Sequence, residues 1–282
     1  MAFSVNTNSG AMAALQSLNA TNKSMETTQS RITTGLNVAS TKDDSAKYTV
    51  AQTLRGDLGK LGAVTTSLNN AKSVTDVAVA GAEQVSDLVN QMKSKALEAS
   101  DAGLDKESRT AISKDLASLK EQIDTVIDGS DFNGTNLLKD GGTVDGSVSA
   151  LQSISDDADP LTVDNQAFTT AFEDITATAI SALEGDDGAT QAGTLSEALD
   201  TVFETVKGSL SELGAASRKI EGQLSFTSNL TDVVTTGIGN LVDADLAKES
   251  ANLQALQVQQ QLGVQALSIA NQSPQTLLSL FQ

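Results

Sequence analysis

The sequence of 282 residues contains 18 Lys and Arg against 36 Asp and Glu, a formal net charge of -18, and it has no His, Cys or Trp. Without His or Cys there is no His-based catalytic triad, no thiol nucleophile, no disulfide and no imidazole or thiolate ligand for zinc or haem. The negative charge repels phosphate, which argues against nucleic acid as a partner. We therefore expect a protein that is not an enzyme and that uses no metal or cofactor.

Charged side chains are distributed unevenly along the chain. The first is Lys23 and the last is Glu249, so 22 residues at one end and 33 at the other carry none. Between Lys139 and Lys207 lie 67 residues with 14 acidic and no basic side chains. Because burying an unpaired charge is costly, the neutral ends are expected to be buried against other protein. Disordered polar tails are the alternative interpretation.

The two ends lack the features of a signal peptide or a membrane span. Residues 1–22 have neither a basic start nor a continuous apolar stretch. Residues 251–274 interrupt their apolar residues with seven Gln, which is too polar for lipid. We therefore expect no cleaved secretory signal and no membrane insertion.

The N-terminal region has the spacing of a coiled coil. From Ala11 to Leu36 the positions follow alternating steps of four and three, which predicts a helix with more than three heptads. Two polar residues in one register, Asn22 and Gln29, would select the register and the number of helices. The seam is narrow, so the helix is expected to be ordered mainly by partners. The predicted seam consists of Ala11, Leu15, Leu18, Asn22, Met25, Gln29, Ile32 and Leu36.

The C-terminal region predicts a helix with two adjacent apolar stripes. A face that broad suits packing on more than one neighbour. Pro274 is expected to stop the regular helix, leaving the apolar tail Leu277, Leu278, Leu280 and Phe281. The first stripe is Leu246, Leu253, Leu256, Val264 and Leu267, and the second is Val258, Leu262, Ala266 and Ile269.

Between the ends, further helices flank an aperiodic segment. Helical spacing begins at Asp44 or Ser45, and after a break expected at Asn69-Asn70 it resumes from Val74 to Met92. A third helix contains Ile112 to Val126 and is expected to end near Gly129. The pair Asn133-Gly134 predicts a turn or hairpin. The period is lost from Asp140 to Gly193 and resumes from Leu195 to about Leu241. The predicted fold is mainly α: a long, hairpin-like helical bundle with coiled-coil termini, a small β-hairpin region and a short irregular acidic insertion.

Several stretches resemble bacterial flagellin, the subunit of the flagellar filament. The matches occur in the same order across both ends of the chain, over about residues 1–138 and 195–282, and the middle shows none. They include Asn6 to Ser9, Arg31 to Leu36, Ser40 to Ala46 with Lys42-Asp43-Asp44, Phe132-Asn133-Gly134, Asp243-Ala244-Asp245, Gln257 to Leu262, and the ending from Ala270 to Leu280.

This resemblance implies a chain that polymerises with itself for motility. Residues 1–44 and 243–282 would form an inner coiled-coil domain, residues 45–139 and 195–242 a helical-bundle domain, and residues 140–194 an acidic insertion facing solvent. The expected location is the extracellular filament. The other implied partners are the flagellar type III export apparatus, an export chaperone, and the hook-associated and cap proteins.

The resemblance also implies an assembly interface on the terminal helices. An ordinary intramolecular core is the alternative for these residues. The predicted interface consists of Leu15, Leu18, Asn22, Met25, Gln29, Ile32 and Leu36 at the N-terminal end, and of Leu256, Leu262, Leu267 and Ile269 at the C-terminal end.

Two other classes of protein compete with this assignment. A hook–filament junction protein shares the inner coiled-coil plan, although the ending from Asn271 to Leu280 favours flagellin. An exported metalloprotease would need a His-Glu-x-x-His motif, and the chain has no His. The acids Asp156, Asp157, Asp159 and Asp164 do not fit an EF-hand, because Leu161 occupies a ligand position and the required Gly is missing. A solvated acidic loop is therefore expected there.

Overall fold

The computed structural model describes residues 7–140, 146–155 and 158–280, the last eight of these by their backbone. It is 77% helical, which confirms the predicted mainly α fold. The helices are α1 (Ser9–Thr34), α2 (Ser45–Ala99), α3 (Lys106–Gly129), α4 (Phe168–Ala171), α5 (Ala177–Ser181), α6 (Gly188–Val242) and α7 (Leu246–Leu280), with a 3-10 turn at Ala182–Glu184.

The chain divides into two compact units, Met1–Leu58 with Asp232–Gln282, and Gly59–Thr231. In the second unit, α2 turns an apolar residue towards the core at almost every third or fourth position, as an amphipathic helix does. Matching apolar faces of α3 and α6 complete one continuous core. Its fully buried members include Leu68, Val85, Met92, Leu116, Ile123, Leu199, Val206 and Leu213.

The predicted hairpin follows α3 directly. Strands β1 (Asp131–Phe132) and β2 (Thr135–Asn136) pair antiparallel, with Phe132 opposite Thr135. The two turn residues Asn133 and Gly134 have φ of 54° and 84°, the left-handed conformation that a two-residue hairpin turn requires. The Asn-Gly signal in the sequence is thus confirmed.

The break expected at Asn69-Asn70 is wrong, because α2 continues through it without interruption. The residues on either side, Leu68 and Ala71, are buried in the core. Packing of this face holds the helix together where local preference alone favours a turn.

The expectation of an irregular acidic insertion needs correction. Strands β3 (Val148–Ala150) and β4 (Leu161–Val163) pair antiparallel, and α4, α5 and the 3-10 turn follow them. Phe168 and Phe172 are buried in the core of the second unit. The acids Asp159, Asp164, Glu173 and Asp174 remain exposed, whereas Asp156 and Asp157 lie outside the described residues. The segment is therefore a folded layer with a charged outer surface.

The expected end of the C-terminal helix at Pro274 is also wrong, since α7 extends to Leu280. Phe281 lies outside the described residues. None of the helices in the described part of the chain combines the length and the hydropathy that a membrane span requires.

Candidate assembly interface

The two terminal helices, α1 and α7, pair antiparallel in the first unit. Asn8, at the start of α1, contacts Ala270 near the end of α7, and Arg31 in the last turn of α1 contacts Glu249 in the first turn of α7. An antiparallel bridge between Leu36 and Asp243 closes the pair at its base. The start of α1 therefore lies beside the last third of α7.

A small apolar core lies beside that bridge. Val38, Ala51 and Val242 are buried there, and Leu36 and Tyr48 pack against them. Between α1 and α2, Asp43 accepts hydrogen bonds from Ala39 N, Ser40 N and Ser40 Oγ at 2.9–3.1 Å. These bonds, above all the one from the Ser40 hydroxyl, lower the pKa of Asp43 and keep it ionised. The carboxylate thus holds the loop that connects the two helices.

The face that α1 turns to α7 differs from the predicted seam at Leu15 and Gln29. The predicted residues Ala11, Leu18, Met25 and Ile32 are half-buried. Leu15 and Gln29, however, are exposed, and Ala14 and Thr28, each one place earlier, are half-buried and buried. Asn22 is half-buried and contacts α7, and its neighbour Thr21 is half-buried as well.

A glycine lets α1 and α7 pack closely, and a pair of polar side chains next to it fixes their register. A Cβ atom placed on Gly263 would lie 3.3 Å from Leu18 Cδ1, so the absence of a side chain there makes room for Leu18. Next to this contact, Gln260 Nε2 donates to Asn22 Oδ1 at 2.8 Å. Paired amides of this kind fix one register of a helix pair, because a shifted register would leave them unpaired.

Near the base of the pair, Arg31 Nη1 lies 3.3 Å from Glu249 Oε1. The Glu249 side chain is only 10% exposed, and its Oε2 has no hydrogen-bond partner, nor has Arg31 Nε. This ion pair was not predicted from the sequence. In the sequence, Glu249 stands out only as the last charged residue of the chain.

The predicted interface residues fall into two groups in the single chain. Seven are half-buried, and they pack within the first unit: Leu18, Asn22, Met25, Ile32, Leu36, Leu256 and Leu267. Four are exposed: Leu15, Gln29, Leu262 and Ile269. Asn8, Thr28, Gln260 and Gly263 also contribute to the pair, and sequence periodicity had not singled them out because none of them is a large apolar residue.

One apolar stripe of α7 has no partner among the described residues. Val258, Leu262 and Ile269 are 56%, 58% and 65% exposed, and Ala266 between them is exposed as well. This is the second stripe predicted from the sequence, and we call it the outer stripe. Met12 and Leu15 of α1 add exposed apolar surface in the same unit. A surface of this kind marks a site of protein–protein association.

The regions on both sides of the central segment match models of a known protein family. Residues 5–143 match the bacterial flagellin N-terminal helical region, and residues 196–281 match the bacterial flagellin C-terminal helical region. Flagellin FljM of Caulobacter vibrioides is 41% identical over 281 residues, 99% of this chain and 98% of its own length. The flagellin of Brucella melitensis is 38% identical over 285 residues and is covered to 99%, as is this chain.

A solved structure gives a further comparison at the level of the fold. The putative flagellar hook-associated protein from Vibrio parahaemolyticus superposes with a TM-score of 0.58 over 71% of this chain and 100% of its own. The identity is 15%, so this likeness concerns the fold alone.

Proposed function

Because this chain belongs to the bacterial flagellins, we propose that the outer stripe and the paired helices α1 and α7 form the surface through which its copies polymerise. The chain is a structural, self-polymerising subunit of the flagellar filament and serves motility; it is not an enzyme. The observation that carries the proposal is the exposure of Val258, Leu262, Ala266 and Ile269 on a helix without charge beyond Glu249.

The occupant of the outer stripe is a second copy of the chain. A net charge of -18 makes two copies repel each other. The terminal helices avoid this repulsion, since residues 1–22 and 250–282 carry no charged side chain. Burying a largely exposed Leu or Ile contributes about 1 to 2 kcal/mol, so a few such residues per subunit favour association strongly. Apolar contact between neutral ends therefore provides the attraction.

The layered organisation expected from the sequence is part of the same proposal. Residues 1–44 and 243–282 form the inner layer of the filament, residues 45–139 and 195–242 the surrounding helical bundle, and residues 140–194 the solvent side. The exposed acids of the central segment support this arrangement, because they stay hydrated only at an outer surface.

Further partners follow from membership of the family. We propose that the chain reaches the extracellular filament through the flagellar type III export apparatus with an export chaperone, and that it meets hook-associated and cap proteins at the filament ends. The absence of Cys supports an export route in which the chain passes unfolded and forms no disulfide. The hook–filament junction alternative is tested by elongation, because a filament subunit extends filament seeds indefinitely and a junction protein does not.

Two matched leucine variants test the outer stripe. Leu262 and Leu151 are 58% and 53% exposed, but Leu151 belongs to the central segment. In a polymerisation assay with filament seeds, Leu262→Asp is expected to raise the critical concentration by at least about tenfold, since each buried, unpaired charge costs several kcal/mol.

Leu151→Asp is the control, and it should polymerise like the unmodified chain. Secretion is expected to be retained in both variants. Filaments of normal length and yield from Leu262→Asp would contradict the proposal, as would an equal loss from the two variants.

A further inference from the structure

The C-terminal helix contains a proline within its regular part. Pro274 has no amide hydrogen, so the carbonyl of Ala270, four residues earlier, lacks the donor that a helix normally supplies. Yet α7 continues beyond Pro274 to Leu280. A backbone carbonyl in this position needs a donor from elsewhere when it is shielded from water.

The missing donor comes from the other end of the chain. Asn8 Nδ2 donates to the carbonyl oxygen of Ala270 at 2.7 Å. Its Oδ1 accepts from the backbone N–H of Ala11 at 3.0 Å, which makes Asn8 the N-cap of α1. The side-chain amide of Asn8 thus has two roles: its oxygen caps α1, and its nitrogen supplies the donor that Ala270 of α7 lacks.

Asparagine is well suited to this double task. Asp and Ser also cap helices well, because each has a side-chain oxygen that can accept from the backbone. An ionised Asp has no donor, and it would place a carboxylate oxygen against the carbonyl oxygen of Ala270. The hydroxyl of Ser lies closer to the backbone than Nδ2 of Asn and does not extend to Ala270. Both substitutions therefore keep the cap and remove the bond to α7.

We infer that the Asn8–Ala270 hydrogen bond is a clasp that makes the helical form of α7 beyond Ala270 depend on the docking of α1. The inference rests on the proposed function, in which the paired helices α1 and α7 form the assembly surface. It adds that α1 must be docked on α7 for this surface to be complete. A chain whose N-terminal helix is not docked does not present a helical C-terminal segment to its neighbours. Each subunit thus couples its two ends as it joins the filament.

A double-mutant cycle tests the clasp. Pro274→Ala restores an amide hydrogen that can donate to Ala270 O, so the bond from Asn8 becomes dispensable in that background. Gln275→Ala is the matched control, since it introduces the same residue next door without restoring the donor. Asn8→Asp and Asn8→Ser are combined with each of these and with the unmodified chain. The readouts are the critical concentration for polymerisation and the amide hydrogen exchange of residues 271–280 in filaments.

Asn8→Ser, which introduces no charge, is expected to raise the critical concentration about tenfold, the effect of losing one hydrogen bond to a half-buried carbonyl. In the Pro274→Ala background the same change should matter less than about twofold, whereas in the Gln275→Ala background it should again reach about tenfold. Exchange of the amides after Ala270 should accelerate in the same variants. Thermal unfolding of the monomers checks that the rest of the chain is folded.

Three results would overturn the clasp: no effect of Asn8→Ser in the unmodified chain, an equal effect of Asn8→Ser in the Pro274→Ala background, or rescue by Gln275→Ala as well. Failure of the proposed interface is detected separately, because it depends on Leu262→Asp compared with Leu151→Asp. The cycle compares chains that all retain Leu262, so it can be evaluated whichever surface joins the subunits.

Discussion

Arg31 and Glu249 form an ion pair between the two terminal helices, with 3.3 Å between Nη1 and Oε1. They are 218 residues apart in the sequence, and Glu249 is the last charged residue of the chain. The pair is incompletely satisfied, since Arg31 Nε and Glu249 Oε2 are buried without hydrogen-bond partners. A half-satisfied buried pair contributes more to the choice of register than to stability.

Removing one partner of this pair should destabilise the pairing of α1 with α7. In Glu249→Leu, the Arg31 guanidinium loses its counter-ion in a site where it is 33% exposed. The expected loss of stability is about 1 to 3 kcal/mol, towards the lower end because water reaches part of the group. Amide hydrogen exchange of α1 and α7 measures it.

The double variant Arg31→Met with Glu249→Leu is the control for Glu249→Leu. It removes both charges together and leaves no unpaired group, so it should recover most of the loss. If the double variant were as unstable as Glu249→Leu alone, the electrostatic explanation would be wrong and the loss would reflect packing.

Sequence periodicity predicted the existence of the long helices well and the facing residues of α1 less well. The heptad positions Leu18, Met25 and Ile32 do face α7. The alternating positions were assigned to Leu15 and Gln29, yet the structure uses Ala14 and Thr28. The spacing of large side chains cannot distinguish a contact within the chain from a contact between chains. Beside its large residues, the inner face of α1 has the small residues Ala14 and Thr28.

The central segment could not be predicted from periodicity at all. Its strands β3 and β4 have three residues each and pair across a loop, so neither shows a usable alternation. Helices of four or five residues are too short for a helical period. The one signal was the spacing of Phe168 and Phe172, four residues apart, both of which are buried. The many glycines and acidic residues of the segment favoured the prediction of an irregular loop over this weak signal.

Two glycines of α2 should respond to alanine in opposite directions. A Cβ on Gly81 would lie 2.2 Å from Ser130 Oγ, 2.9 Å from Leu138 Cδ1 and 3.1 Å from Ser130 Cβ, so Gly81→Ala forces α2 away from the hairpin. Overpacking of this kind costs about 1 to 3 kcal/mol. A Cβ on Gly62 would meet nothing within 4 Å.

Gly62→Ala is therefore the matched control, and it should stabilise the monomer by about 0.5 to 1 kcal/mol through helix propensity. Urea unfolding of the two monomeric variants gives both values. Stabilisation by Gly81→Ala would show that the hairpin does not pack closely on α2.

The start of α3 should make a pH-dependent contribution to stability. Asp105 caps this helix and accepts from Ser108 N at 2.8 Å. Hydrogen bonds from Ser108, side chain first and backbone second, lower the pKa of Asp105 below its ordinary value of 3.8. A lowered folded-state pKa stabilises the fold above the ordinary value, and the contribution is lost as the pH falls through the folded-state pKa.

Asp105→Asn keeps a side-chain oxygen for the cap and cannot ionise. The stability advantage of the unmodified chain over this variant should therefore be constant near neutral pH and shrink below about pH 3.8. Urea unfolding of both monomers at a series of pH values measures the difference, in which the other carboxylates cancel. A difference that does not change between about pH 7 and about pH 2.5 would rule out the titration of Asp105.

The terminal helices should be far more stable in the filament than in the monomer. In the described part of a single chain α1 and α7 pack mainly on each other, and their apolar residues Leu15, Leu262 and Ile269 remain largely exposed. A lone helix pair of this kind is marginal, and its order is linked to binding. Amide hydrogen exchange in α1 and α7 is expected to slow by at least about a hundredfold on polymerisation.

Helix α3 provides the internal reference for that measurement. Its residues Leu116 and Ile123 are fully buried in the core of the second unit, so its amides should be protected equally in the monomer and in the filament. Deletion of residues 1–22 or of residues 250–282 should abolish filament formation while leaving α3 protected. If α1 and α7 were already as well protected in the monomer as α3, the ends would fold independently of assembly, and the exposed outer stripe would need another explanation.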